Sequence, residues 1–139
     1  NPGEPATTLL LLTSPHFEDF GELMHLVPRA QAVADQLALQ EGAVSVQVLP
    51  FHPDASYSEM VGDPADCSTR SPVPMLHLLR GSDVVQAEEM WATLHAADEA
   101  PGIQQRNSAY LRGLGWEKAS SLCTRFGTCL SGHDGMART

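Results

Sequence analysis

A mixed α/β domain, in which helices pack on a sheet of three or more strands, is what this sequence predicts, and three observations lead there. Leu9-Leu10-Leu11-Leu12 is continuously apolar, Val44, Val46 and Val48 alternate with Ser45 and Gln47, and apolar residues recur at helical spacing between and after them. Continuity reads as a strand covered on both faces, alternation as a strand with one polar face, and three-to-four spacing as an amphipathic helix. At 139 residues the chain has the size of one domain, long enough to bury a core without staples.

Residues 1–6, punctuated by Pro2, Gly3 and Pro5, read as a flexible lead-in. The first strand covers residues 8–13 and stops at Ser14-Pro15; its apolar continuity places it at the centre of a sheet. Phe17, Phe20, Met24 and Val27 then recur about one turn apart, up to Pro28, which has no N–H to donate. Pro28 suits the first turn of a second helix, with Val33, Ala34, Leu37 and Ala38 on its apolar face and Gly42 as a left-handed stop. The second strand, residues 44–51, completes a crossover unit that is right-handed if the two strands are parallel.

That strand delivers His52 at its carboxyl end, where ligands collect in open α/β sheets. From Pro53 to Val73 no period is visible, and loops so long are uncommon unless they bind something or are disordered. A third strand, residues 75–79, sets Met75, His77 and Leu79 on one face and Leu76 and Leu78 on the other. Pro72 and Pro74 put its start after them or the strand at an edge. Ser82 or Asp83 caps the next helix, whose buried stripe is Val84, Ala87, Trp91 and Leu94. A last helix from Ile103 turns Tyr110, Leu111 and Leu114 inward and ends near Gly113 or Gly115. The domain is expected over residues 7–122, followed by a tail over residues 123–139, loose or ordered by a partner.

A formal charge of −9 opposes direct nucleic-acid binding, which draws its affinity from clustered Lys and Arg. No apolar run approaches the roughly 20 residues that span a bilayer, so a soluble domain without a transmembrane segment is expected. Cys67, Cys123 and Cys129 are odd in number and lack CxxC spacing, which fits an intracellular, reducing compartment such as cytoplasm or an organelle matrix. The first residue is Asn1 and not Met, as in a processed or incomplete product.

The polar residues able to do chemistry gather between Val44 and Arg80. His52 and Asp54 leave one strand, while Cys67, Arg70 and His77 approach or enter another. His52, Asp54 and His77 are the catalytic candidates; Arg70, Ser71 and Arg80 are the ligand-binding ones, since guanidinium forks take carboxylate or phosphate in bidentate fashion. The competing role for Arg70 or Arg80 is a latch to Asp54, Asp63 or Asp66 that pins the long loop. Zinc on His52, His77 and Cys67 or Asp54 uses acceptable ligand types, but the spacing matches no standard signature. Against it stands His77 as a core histidine and Cys67 as a small buried hydrophobe. Cys67 or Ser71 beside His52 or His77, oriented by Asp54, has the makings of a nucleophile, yet there is no Gly-x-Ser-x-Gly elbow. A glycine-rich phosphate loop is also absent, so no cofactor is indicated.

Phe51-His52-Pro53-Asp54, then Thr69-Arg70-Ser71-Pro72-Val73-Pro74-Met75-Leu76-His77-Leu78-Leu79-Arg80, and later Arg106-Asn107 with Leu111-Arg112-Gly113-Leu114-Gly115-Trp116, resemble the domain of unknown function 1415 family of small, mainly bacterial but also algal and plant proteins. The resemblance covers roughly residues 9–116. It implies an α/β domain and carries over a pattern of polar residues, His52, Asp54, Arg70, Ser71 and His77, with no catalytic roles attached. Family members have an N-terminal helical segment with Cys-Pro-Phe ahead of the first strand, and this chain starts after that place. Thr69 and Val73 stand where the family has Asn and an aromatic, and Tyr57 supplies one of the aromatics that follow His-Pro-Asp.

Two readings follow. In one the domain is an interaction or accessory subunit whose partners are other proteins. In the other it is a small enzyme that holds an anionic metabolite in a His/Asp/Arg pocket.

Overall fold

The structure, a computed structural model, describes residues 7–95 and 101–127. The lead-in expected over residues 1–6 lies outside the described residues, as does the expected tail from residue 128 onward; residues 123–127, expected to begin that tail, are instead the end of a helix.

The predicted α/β class is what the chain adopts. Three strands, β1 (Thr7–Leu11), β2 (Val46–Phe51) and β3 (Met75–Arg80), form one antiparallel sheet in the order β1-β3-β2. Helix α1 (Phe20–Ala38) links β1 to β2, α2 (Gly81–His95) follows β3 directly, and α3 (Ile103–Leu114) and α4 (Trp116–Gly127) close the described chain.

The order overturns one expectation. Both outer strands run antiparallel to β3, so β1 and β2 are parallel to each other, but β3 is inserted between them and no parallel ladder forms. β3 enters immediately after Pro74, and β1 is an edge strand, not a covered central one. Its large side chains are accordingly exposed, Leu9 at 55%, Leu10 at 44% and Leu11 at 59%. A continuous apolar run has the same appearance in a sheet centre and on an uncovered edge, because periodicity reports what a strand offers and not what covers it.

The helix break expected at Pro28 does not occur. A 3-10 turn over Pro15–Glu18 leads to Asp19, whose carboxylate accepts the Glu22 N–H at 3.1 Å and caps α1; the helix then passes through Pro28 to Ala38. Leu23, Leu26, Val27, Ala30 and Ala34 form one stripe across the proline, and Leu23 is fully buried against Val48 and Leu76. A stripe continuous on both sides outweighs a proline penalty of about 3 kcal/mol. The same stripe keeps Ala34 of the expected face inward but turns Val33 and Leu37 outward. In α2, Leu94 is exposed and His95 takes its place, stacked on Trp91 with ring centroids 3.8 Å apart. Tyr110 of α3 is exposed as well.

Between β2 and β3 the chain makes a second 3-10 turn, Pro64–Thr69, on which α3 and α4 pack. Gly81 lies close against Ser45: its N–H donates to Ser45 O at 2.8 Å, and a Cβ there would meet Ser45 Oγ at 2.9 Å, so the serine side chain would have to shift.

Leu23 is the hub of this core. Leu23→Ala is expected to lower stability by about 2–5 kcal/mol in urea unfolding; an unchanged midpoint would show that the α1 stripe is not packed as described.

Candidate functional site

The structure distributes the six candidate residues over separate places. His52 emerges from β2 onto the α1 side of the sheet, where it is buried and its ring lies 5.5 Å from that of Phe20. Its Nδ1 accepts the Asp54 N–H at 2.9 Å, which leaves Nε2 to carry the proton and donate to Phe17 O at 3.0 Å. Both ring nitrogens are therefore committed to backbone groups, and the ring ties the turn before α1 to the turn after β2. Asp54 itself is exposed.

His77 lies on the opposite face. Its cross-strand partners are Leu9 and Leu49, its ring is 5.9 Å from that of Phe51, and its Nε2 bonds the Thr7 hydroxyl. The sheet thus separates the two histidines. Arg70 is a backbone neighbour of His52, since the His52 N–H donates to Thr69 O at 3.2 Å, but the side chains diverge. Arg70 Nε donates to Ala55 O at 3.3 Å and its guanidinium sits 4.9 Å over the Trp116 ring. Ser71 donates its hydroxyl to Val73 O at 2.6 Å, and Arg80 pairs with Asp83 one turn into α2 at 3.7 Å.

The latch expected for the long loop exists with a different cation. Asp63 is fully buried and caps the 3-10 turn by accepting the Ala65 N–H at 3.0 Å. Arg112 of α3 grips its carboxylate through Nε at 3.0 Å and a terminal nitrogen at 2.7 Å. These bonds hold the Asp63 carboxyl well below the usual carboxylate range. Asp66, also buried, accepts the N–H groups of Tyr57 and Ser58 and shapes the first half of the loop. Cys67 lies beneath, with the Cys123 thiol donating to its carbonyl at 3.4 Å. Burial, aided by Cys123, pushes the Cys67 thiol up to about 11, so it is protonated at neutral pH and a poor nucleophile. Among the described residues no three His, Cys, Asp or Glu side chains converge as a metal would need, and no helix is long and apolar enough to cross a membrane.

A groove of about 1160 Å³ lies between α2, α3 and the β2 side of the sheet, floored by Leu49, Phe51 and Leu79 and walled by Trp91, with Gln47, Gln104 and Asn107 among its polar lining. None of the six candidates lines it.

The two sheet edges differ more sharply. Along β2 the outward positions are Val46, Val48, Pro50 and His52. Gln31 of α1 donates to Val46 O and accepts the Val48 N–H, both at 2.9 Å; Pro50 has no N–H; and the His52 N–H is taken by Thr69. From Val48 to His52 no outward donor is left over. Along β1 the Leu12 N–H bonds Pro74 O, so in this register Thr8 and Leu10 face β3 while Thr7, Leu9 and Leu11 direct their backbone groups away from the sheet. Leu9 and Leu11 find no backbone partner on that side among the described residues. Gln31 escapes sequence reasoning because an isolated glutamine on a helix has no pattern. The open edge was visible only as apolarity.

A family profile, described as Protein of unknown function (DUF1415), matches residues 1–121. No curated protein and no solved structure matches the chain.

Two tests follow from this geometry. His52→Asn keeps an oxygen able to accept the Asp54 N–H but drops the tie to Phe17, and is expected to cost about 1–3 kcal/mol in denaturant unfolding; no loss would mean that the ring does not bridge the two turns. Because the Asp63 carboxyl is depressed in the folded state, its contribution is complete above its ordinary value of 3.8 and is lost as pH falls below it. The urea midpoint should therefore drop as pH falls below about 4. Asp63→Asn should start lower at neutral pH and lack that component of the acid slope; parallel wild-type and variant curves would contradict the Arg112 pairing.

Proposed function

We propose that this chain, which belongs to the DUF1415 family, is an interaction or accessory subunit that receives an extended segment of a partner protein along β1. The observation that carries the reading is the asymmetry of the sheet: one edge is closed by Gln31, Pro50 and Thr69, and the other is, among the described residues, open, apolar and free of charge. Edge strands left in that state are templates for pairing, and domains that do not use them blunt them with Lys, Pro or a covering element. β1 carries none of these from Thr7 to Leu11.

The alternative, an enzyme acting on an anionic metabolite through His52, Asp54, His77 and Arg70, has less support. It needs those side chains in one accessible cleft, whereas the His52 nitrogens are bonded to backbone and His77 lies across the sheet.

Size separation of native extract, concentrated so that the chain stands well above micromolar levels, tests the reading. The wild-type chain should migrate in an assembly larger than one chain, and Leu9→Lys, which puts a charge on an exposed edge position, should shift it to single-chain size with its folding intact. Single-chain migration of the wild type, or a Leu9→Lys chain that stays in the assembly, would contradict it.

A further inference from the structure

The outward set on β1 is symmetric about Leu9. When one β1 pairs antiparallel with another, Leu9 meets Leu9 and Thr7 meets Leu11 on both sides, so each outward N–H has an outward carbonyl to bond. Leu10 then stands opposite Thr8 on the α1 face, while Leu9 and Leu11 extend the row that holds His77 and Met75 on the other. We infer that the segment received on this edge is β1 of a second copy of the chain, two three-stranded sheets joining through an isologous strand pair. This rests on the reading above that the open edge is an interaction surface.

Charge favours a second copy over a foreign strand. At −9 the chain would select a foreign partner through basic residues, yet β1 holds no carboxylate with which to select one. Two copies of so acidic a chain, by contrast, repel least along a seam without charge, and Thr7–Leu11 is one. Clearance among the described residues favours it too. Helix α1 lies chiefly over β2, the groove under α2 is floored by β2 and β3, and all five residues of β1 are exposed. A two-fold axis normal to the sheet at Leu9 carries the second copy's helices to its own far side. The strand is short, so the interface falls below the roughly 1,200 Å² of a standard stable complex and the dimer should dissociate in the micromolar range.

Sedimentation equilibrium of the purified chain, from about one to several hundred micromolar, tests this. The mean mass should rise from one chain toward two. Leu9→Lys and Leu9→Pro should remain single chains throughout, with wild-type circular dichroism and thermal midpoint. The Leu9 N–H points away from β3, so proline there removes only the outward donor. The register has its own readout: under mild oxidation Leu9→Cys should cross-link to itself above the wild-type background, and Thr7→Cys should cross-link with Leu11→Cys but not with itself. Single-chain mass at every concentration, a dimer that survives both Leu9 variants, or self-cross-linking of Thr7→Cys as efficient as that of Leu9→Cys would each overturn the proposal. If the purified chain is monomeric yet Leu9→Lys still releases it from a larger assembly in extract, the second copy is wrong and the interaction edge stands; if neither occurs, both fall.

Discussion

One carboxamide on α1 stands in for a missing strand. Gln31 donates to Val46 O and accepts from Val48 N–H, the pair of bonds a neighbouring strand would make, and so terminates the sheet on the β2 side. Each such bond is worth only about 0.5–1.5 kcal/mol net, but leaving those backbone groups unbonded beneath a packed helix would cost more. The clamp also sets where α1 lies. With Gln31 held at the β2 edge, the stripe from Leu23 to Ala34 falls on Val48 and Leu76, and the five residues of β1 stay exposed. An open edge on one side is thus the geometric consequence of a closed edge on the other.

The long segment between β2 and β3 is organised by buried polar groups rather than by apolar packing. His52 ties its start to the turn before α1, Asp66 holds its first bend, and Asp63 locks it to α3 through Arg112. Residues that look reactive in the sequence are here occupied in building a loop. The Cys67 thiol beneath it is kept protonated by burial. These commitments occupy the polar groups at that spot, whereas along the exposed sheet edge the outward backbone groups of Leu9 and Leu11 have no backbone partner among the described residues.

The strands were legible because hydrophobic pattern and proline punctuation are local signals, and all three fall within a few residues of where they were expected. Strand order was not, because pairing is decided by contacts far apart in sequence: nothing near Leu9 says that its neighbour is His77. Pro28 misled because its local preference is overridden by a stripe that only the folded sheet makes worthwhile. The loop latch was half legible. A buried carboxylate pinning the segment is what its acidic residues suggest, but the cation comes from Arg112, 49 residues away, and not from Arg70 or Arg80. Grouping His52 with His77 failed for a simpler reason, since nothing in the sequence says that His52 leaves β2 on the side opposite to His77.

Residue-resolved amide exchange along β1 reads whether its outer edge is open. In dilute solution Thr8 and Leu10, bonded to β3, should exchange slowly while Leu9 and Leu11 exchange at rates near those of an unprotected chain; at high concentration Leu9 and Leu11 should become protected in step with pairing. Uniform protection along β1 at every concentration would mean that the edge is already closed within one chain, and the account built on it would be wrong.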